Sequence, residues 1–280
     1  MASSSSDSPD FRHYQKLVWI ETISQVRRAV TELKRQNEIA LDCEGDNLSR
    51  EGTLDILIIG TINRKVFLFD ITKLGQSAFK GGLRGLLESK SKTKIMYDCR
   101  NDSDALMHLY NVKLTGVLDL QLVEVDIRRK SKLNHRFLKG LKRCIAEFAP
   151  DEASELLKDK VRIMIETAKT NGTSIWKRRP LDSELKDYCA IDTLKLFELL
   201  KAFKKKNKNM DRDEMLLASE RYVDYFRSYD ELPERKYYRH GRLPNDILSC
   251  IPKRAGVVYD KCNGCKKEFN QSFLDAESET

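Results

Sequence analysis

Two carboxylates lie close together at the end of an apolar segment that is typical of a buried strand. Asp42 and Glu44 are separated by one residue, at the end of Ile39–Cys43. Alternate residues of a strand point to the same face, so these side chains converge, and such oxygen ligands can bridge hard cations such as Mg²⁺ or Mn²⁺. In a chain with 43 acidic residues such pairs also arise by chance, and a solvated strand end is the alternative interpretation.

A second acidic group follows the strand-like segment Thr93–Tyr97. Asp102 lies four residues before Leu106, so on a helix both share the face that turns towards the sheet. From there Asp102 can reach the strand-end carboxylates. Asp104 is rotated by about 200° from Asp102 and is expected to face solvent. Asp98 is expected to cap the start of the helix.

A tyrosine and an aspartate form the third group. Tyr188 and Asp192 are four residues apart in a segment with helical periodicity, so a helix stacks the phenol and the carboxylate on one face. Of the ten tyrosines, only Tyr188 has an aspartate four residues later. The alternative is a half-buried tyrosine on an amphipathic helix beside an exposed aspartate.

The elements that must position these groups predict an α/β fold. An amphipathic helix follows the first strand, the early strands form a hairpin meander, and residues 120–200 are mainly helical. This order indicates one mixed sheet covered by helices. The predicted strands are Lys16–Glu21, Ile39–Cys43, Leu54–Thr61, Lys65–Ile71 and Thr93–Tyr97, with Val117–Leu122 either a last strand or the entry to a helix; the later helices include Ala78–Glu88, Asp102–Tyr110 and Arg212–Tyr229.

The charge balance favours a polyanionic partner, although a well-solvated surface would also explain it. The net charge is +8 and the pI is near 9. Basic clusters could line a track for a single-stranded backbone, with Phe137, Tyr237 or Tyr238 for base stacking. Lys177, Arg178 and Arg179 are the strongest candidates because they directly precede the Tyr188 segment. The other clusters are Arg128–Lys132, Lys139–Arg143 and Lys201–Lys208.

The remaining features suggest an intracellular protein without a membrane span. No apolar run approaches spanning length, and the Ser-rich start lacks an apolar signal region. The seven cysteines suggest reduced thiols. Cys262 and Cys265 form half of a zinc site that Cys250 and His240 could complete, the alternative being a turn flanked by thiols. We expect a disordered tail over 1–12, a catalytic domain over 16–203 and a basic, partly helical extension over 204–280.

Together the three groups resemble the Exo I, II and III motifs of the DEDD exonucleases in their tyrosine form. LDCEG at residues 41–45 resembles Exo I, the segment around Asp102 resembles Exo II, and Tyr188 through Asp192 resembles Exo III. Upstream, Trp176–Leu181 resembles the W-x-x-R-P-L of RNase D-like proteins. The resemblance covers about residues 16–203.

The resemblance implies an RNase H-like fold, with a five-stranded mixed sheet and helices on both sides. It also implies metal-dependent 3′–5′ hydrolysis of single-stranded RNA or DNA, RNA being the more expected substrate. Asp42, Glu44, Asp102 and Asp192 would hold two Mg²⁺ or Mn²⁺ ions, and Tyr188 would orient the attacking water.

A narrower resemblance opens a second interpretation. The segments EGDNLSREGTLDIL, VFLFDI and YDCRNDSDAL resemble the animal exonuclease 3′–5′ domain-containing proteins connected with piRNA biogenesis, and the Egalitarian exonuclease-like domain. Some members of that branch lack part of the catalytic set and act as RNA-binding scaffolds. The alternative function is therefore a catalytically silent RNA-binding adapter, as a homodimer or with a protein of a small-RNA pathway. The expected location is the cytoplasm, with the nucleus left open.

Overall fold

A single mixed sheet organises the chain. In the computed structural model, residues 16–230, 241–244, 246–248, 259–261 and 268–270 are described. Six strands of this part form one sheet in the order β1-β4-β3-β2-β5-β6. Their bounds are Lys16–Ile20 (β1), Glu38–Glu44 (β2), Ile56–Gly60 (β3), Lys65–Asp70 (β4), Thr93–Met96 (β5) and Val117–Asp119 (β6).

The sheet has an antiparallel centre and parallel flanks. Strands β2, β3 and β4 form an antiparallel meander, whereas β1 runs parallel to β4, and β5 and β6 continue parallel to β2. The predicted mixed α/β fold is confirmed, but the expected count of five strands is wrong. The sixth strand is β6, which pairs parallel with β5 and lies in the segment that the sequence left open between a last strand and the entry to a helix.

Helices cover both faces of the sheet. One core contains α1, α5, α6 and α10, and the other contains α8 and the first half of α9. Leu57 and Ile59 of β3 face the first core, whereas Ile56 and Ile58 face the second, as the period of a strand requires. The helices are Ile23–Leu33 (α1), Ile71–Leu74 (α2), Gln76–Ala78 (α3), Arg84–Leu87 (α4), Arg100–Tyr110 (α5), Leu120–Lys130 (α6), Leu141–Phe148 (α7), Glu152–Thr170 (α8), Ser183–Lys206 (α9) and Arg212–Arg227 (α10).

The segment predicted as one helix over Ala78–Glu88 is broken by a π-helical turn, Phe79–Leu83. Gly82 has a φ of 124°, which L side chains rarely adopt. A Cβ at Gly82 would also lie 3.1 Å from Cγ1 of Val30 on α1. The glycine therefore lets α1 approach this segment closely.

A buried aspartate joins the strands to the helices at the carboxyl edge of the sheet. Val117–Leu122 contains both predicted alternatives, since β6 ends at Asp119 and α6 begins at Leu120. The Asp119 carboxylate accepts hydrogen bonds from the backbone N–H groups of Gln121, Asp98 and Cys99. The predicted cap role of Asp98 is wrong: Cys99 is the N-cap of α5, and Asp98 holds the Arg100 guanidinium instead.

The C-terminal helix completes the first core. Helix α10 confirms the predicted helix after residue 211, and it packs against α5, β6 and α6. An antiparallel pair of strands, Tyr259–Lys261 (β7) with Glu268–Asn270 (β8), was not predicted. Cys43, Cys99, Cys144 and Cys189 are free and buried. Predictions for the tail over 1–12 and for Tyr237, Tyr238, His240, Cys250, Cys262 and Cys265 lie outside the described residues. No helix within the described ranges is both long and apolar enough to cross a membrane.

Candidate active site

Two of the predicted carboxylates stand on the central strand, where it leaves the sheet. Asp42 and Glu44 of β2 pair in register with Ile58 and Ile56 of β3, so both side chains point towards α9. The chain then turns at Gly45, where an added Cβ would lie 2.1 Å from the carbonyl oxygen of Thr53. Gly45 thus permits close packing of the chain on itself, which the sequence alone did not indicate.

Helix α9 brings the third group to the same place. Tyr188 and Asp192 both lie on this helix, and the Asp192 residue is only 5% exposed. The helix can cross β3 closely because Gly60 has no side chain: a Cβ there would lie 2.9 Å from Cγ2 of Thr193. Because α9 also packs against β2, Asp192 lies near enough to Asp42 for its charge to act on that carboxylate.

Asp102 reaches the site from the opposite face of the sheet. It lies in the first turn of α5 and is buried together with Leu106, as predicted. Its carboxylate interacts with the Cys43 thiol and with the charge of Asp42. Its Oδ1 is buried and has no hydrogen-bond partner among the described residues. A buried carboxylate oxygen without a partner is costly unless something else binds it.

The carboxylates share one electrostatic field. Burial and the negative charge of Asp192 raise the pKa of Asp42 to about 7. Burial, followed by the charges of Asp42, Asp192 and Asp102, raises the pKa of Glu44 well above its usual range. Burial and Asp42 likewise raise the pKa of Asp102. These four side chains therefore repel one another and together favour a bound cation.

One cation of the chain itself already contacts this group. The ammonium of Lys158, on α8, forms an ion pair with Asp192, and the two side chains are only 8% and 6% exposed. The Lys158 Nζ also lies 5.8 Å from the centroid of the Tyr188 ring. The sequence reasoning missed Lys158. It could have been found from its position next to Leu157 and three residues before Val161, because these two apolar residues mark the buried face of the same helix.

The donor set suits hard divalent ions. Asp42, Glu44, Asp102 and Asp192 offer only carboxylate oxygens, which Mg²⁺ and Mn²⁺ prefer, and the unpartnered Asp102 Oδ1 provides a free ligand atom. In the described part of the chain, no group of three or more His, Cys, Asp or Glu side chains is arranged so that it could hold a metal ion as it stands. The residues fit the ions chemically, while Lys158 supplies the cation that Asp192 contacts here.

Tyr188 is a neutral phenol in this setting. The charge of Asp192, then burial and the charge of Glu44, raise the pKa of Tyr188 well above its usual range. Its ring lies 6.3 Å from that of Trp176, centroid to centroid. Such a phenol can donate a hydrogen bond but cannot act as a general base near neutral pH.

The prediction that Asp104 faces solvent is wrong. Its side chain is fully buried and accepts hydrogen bonds from the backbone N–H and the guanidinium of Arg50, at 2.7 to 2.9 Å. Helix α10 packs against α5 and removes its outer face from solvent. The same guanidinium donates to the carbonyls of Phe226 and Tyr229. Periodicity within α5 could not show that a helix about 110 residues later would cover it.

The three basic residues before α9 differ in their surroundings. Arg179 forms a two-pronged ion pair with the buried Asp70 at the end of β4, at 2.5 and 2.7 Å. The side chain of Lys177 is 49% exposed, 3.6 Å from Asp46, and Arg178 is exposed. The cations available to a nucleic acid in this segment are therefore Lys177 and Arg178.

The order and arrangement of these groups agree with a known family. The sequence profile of the 3′–5′ exonuclease family matches residues 17–208. The chain belongs to the 3′–5′ exonuclease family. The match begins within β1 and ends just after α9, so it contains every residue of the acidic group and Lys158.

Curated relatives within this family share a common name. The piRNA biogenesis protein EXD1 of Bombyx mori is 30% identical over 178 residues, which cover 63% of this chain and 53% of that protein. The Mus musculus EXD1 is 33% identical over 175 residues, covering 61% of this chain and 30% of that protein. The chain thus spans about half or less of these relatives.

The solved structures share the fold. Trypanosoma brucei RNase D in complex with RNA U12 superposes with a TM-score of 0.67 at 21% identity, covering 85% of this chain and 79% of that chain. Brucella melitensis NrnC with bound Mg²⁺ superposes with a TM-score of 0.51 at 17% identity, covering 75% and 89%. The predicted RNase H-like exonuclease fold is confirmed.

Proposed function

We propose that this protein is a divalent-metal-dependent 3′–5′ exonuclease that acts on single-stranded nucleic acid, with RNA preferred over DNA. The observation that carries the proposal is the meeting of Asp42, Glu44, Asp102 and Asp192 beside Tyr188. These side chains come from β2, α5 and α9, and their charges act on one another. A family match over residues 17–208 supports the reaction class.

The acidic residues would hold the ions that this reaction requires. Asp42, Glu44, Asp102 and Asp192 would together hold the Mg²⁺ or Mn²⁺ ions. When bound, such ions lower the pKa of water and stabilise the charge on phosphate and leaving oxygen. The Mg²⁺ in the structure of NrnC is consistent with this choice.

Tyr188 would orient the nucleophile. Because its pKa is raised, the phenol keeps its proton and can fix a water molecule by a hydrogen bond without removing a proton from it. The water oxygen attacks the last internucleotide phosphorus, and the bond from that phosphorus to the 3′-oxygen of the preceding nucleotide breaks. The attacking water releases a proton to solvent, and the leaving 3′-oxygen takes one up from solvent. The product is a nucleoside 5′-monophosphate and a chain shortened by one nucleotide.

A basic pocket near the end of α6 is the proposed contact for more distant nucleotides. It has a volume of about 600 Å³ and includes Arg136, Phe137 and Arg242 in its wall. Phe137 is 47% exposed, and the Arg242 guanidinium lies 5.6 Å from its ring centroid. Neither Arg136 nor Arg242 forms an ion pair with a described residue. An exposed ring beside two guanidinium groups suits stacked bases and phosphates.

Other basic residues of this region are already neutralised. The side chains of Arg128 and Lys139 contact the buried Glu124, and those of Arg129 and Lys130 contact the buried Asp126. The run Arg128–Lys132 therefore stabilises the fold of α6 more than it offers charge to a ligand. The pocket is therefore a stronger candidate than this run for contacting a nucleic acid.

A catalytically silent RNA-binding adapter is the second candidate function. The ion pair of Lys158 with Asp192 favours it, because it places a side-chain cation where metal chemistry would need a ligand. The name of the EXD1 relatives suggests a protein partner in a small-RNA pathway. A homodimer and a cytoplasmic location stay predictions.

The two functions are separated by one assay. The protein is incubated with single-stranded RNA and DNA oligonucleotides carrying 5′ or 3′ labels, in the presence of Mg²⁺, Mn²⁺ or EDTA. The exonuclease produces a ladder from the 5′-labelled strand and a labelled mononucleotide from the 3′-labelled strand, with metal only. Tight RNA binding without trimming in any metal would support the adapter and contradict the enzyme.

A further inference from the structure

Lys158 lies on a helix that is capped at its start and packed against the sheet. Its neighbours Leu157 and Val161 are buried against the sheet face that α9 covers. Helix α8 begins with Asp151 as its N-cap, where the Ser154 hydroxyl donates to the carboxylate at 2.6 Å. The N-cap and the buried apolar face of α8 set the orientation of the helix. This orientation directs the Lys158 side chain towards α9.

The ion pair occupies a ligand that the proposed metal site needs. The Lys158 ammonium contacts Oδ1 of Asp192, and its positive charge lowers the otherwise raised pKa values of Asp42 and Glu44. An ammonium and a divalent ion on one carboxylate repel each other strongly in a low-dielectric site. Binding of a divalent ion to Asp192 therefore weakens the Lys158 ion pair, and the ion pair weakens binding of the ion.

We propose that Lys158 is an internal counter-ion that competes with a divalent ion for Asp192, so that the protein binds its metal ions in two unequal steps. The inference rests on the proposed function, since it assumes the metal site. The first ion binds near Asp42 and Asp102. The Oδ1 atom of Asp102 has no hydrogen-bond partner within the described part of the chain. The second ion binds only when the Lys158 ammonium leaves Asp192.

This competition would set a minimum metal concentration for filling the second metal site. Without ions, Lys158 offsets part of the repulsion among the carboxylates and so stabilises the folded chain. With rising metal concentration, the first ion repels the ammonium and prepares the second step. Full occupancy, and with it the proposed hydrolysis, would begin only above the concentration at which the second ion displaces the lysine.

The test is a Mn²⁺ titration of the full chain, followed by isothermal calorimetry and by the electron paramagnetic resonance of free Mn²⁺. In Lys158→Met, the second step should tighten by at least about tenfold, because a charge at ion-pair distance is removed. The matched control is Lys160→Met on the same helix, whose side chain is 59% exposed and contacts Glu184. It should bind like the wild type.

A second measurement does not use metal affinity. In EDTA, Lys158→Met should unfold at a lower temperature than the wild type, and Mn²⁺ should raise its melting temperature by more than that of the wild type. If the Met variant does not fold, Lys158→Gln, which keeps a donor to Asp192 without the charge, serves the same comparison.

The outcomes are distinct. Equal second-step affinities in wild type and Lys158→Met would overturn the competition and leave the proposed function untouched. Absence of Mn²⁺ binding in both proteins would overturn the competition and the metal-dependent function together. A third outcome is that the wild type binds Mn²⁺ with two unequal affinities, that these become equal in Lys158→Met, and that neither protein trims RNA. This outcome would support the competition and contradict only the proposed enzyme activity.

Discussion

The guanidinium of Arg179 clamps the carboxylate of Asp70, with Nε and Nη2 at 2.7 and 2.5 Å from its two oxygens. Asp70 is also the N-cap of α2, since its side chain accepts from the backbone N–H of Lys73. A third nitrogen of Arg179 donates to the carbonyl of Trp176 at 2.6 Å. The pair thus ties the segment before α9 to the end of β4, and so helps to place Tyr188 and Asp192.

Arg179→Met is expected to destabilise the protein by roughly 3 kcal/mol, because it leaves the buried Asp70 carboxylate unpaired. Arg179→Lys should recover little of this loss, since an ammonium cannot form the two-pronged contact. Urea unfolding curves of the three proteins measure the effect. A free energy of unfolding equal to that of the wild type in Arg179→Met would show that the clamp has no structural role.

The exposed pair Lys177 and Arg178 is expected to bind phosphates. Changing both to Ala should weaken single-stranded RNA binding for all sequences alike and reduce the salt dependence by about one unit of slope for each lost contact. Fluorescence anisotropy in EDTA, over a series of salt concentrations, measures this without hydrolysis. Changing the exposed Arg27 and Arg28 of α1 to Ala is the matched control. Identical slopes in wild type and the Lys177/Arg178 variant would remove this segment from the interface.

The basic pocket is expected to contribute separately. Arg136→Glu with Arg242→Glu should lower RNA affinity several-fold more than Arg27→Glu with Arg28→Glu, which makes the same change in net charge. Phe137→Ala should weaken binding by about 1–3 kcal/mol if a base stacks on the ring. Oligonucleotides of increasing length give the readout, since only those long enough to reach the pocket should respond. Equal losses in both double variants would indicate a general charge effect only.

Asp42→Asn is expected to abolish 3′ trimming by several orders of magnitude while RNA affinity is retained. The amide carries no charge to bind the ions, and nucleophile activation and leaving-group stabilisation are lost together. Affinity should persist because it comes mainly from phosphate contacts outside the acidic group. Tyr188→Phe should be milder, because it removes one hydrogen bond. Single-turnover trimming rates of the two variants provide the comparison, and near-wild-type trimming by Asp42→Asn would contradict the assigned role.

The metal-free protein is expected to lose stability as the pH rises from about 4 to about 7. The pKa of Asp42 is raised from 3.8 to about 7, mainly by burial and next by Asp192. The folded chain therefore holds this proton more tightly than the unfolded chain. The contribution of Asp42 to the free energy of unfolding is present at low pH and is lost as the pH rises through the pKa of the folded state. Melting temperatures in EDTA, compared with those of Asp42→Asn, isolate the contribution. A difference between the two proteins that does not change with pH would contradict the raised pKa.

Local geometry was readable from the sequence. Asp42 with Glu44, and Tyr188 with Asp192, point in common directions because the periods of a strand and a helix are set by the backbone. Asp102 could be placed on the same helix face as Leu106 for the same reason, although the predicted exposure of Asp104 was wrong. The order of the strands and helices predicted the fold class. The sequence by itself therefore determined which side chains can meet and what chemistry they offer.

The partners of the charged side chains were decided by tertiary structure. Arg50 reaches Asp104 across 54 residues, and Arg179 reaches Asp70 across 109. Lys158 meets Asp192 because α8 and α9 pack on the same face of the sheet. Such contacts depend on how elements pack, and the energy of a buried charge depends on the partner it finds there. No periodicity within a single segment contains that information.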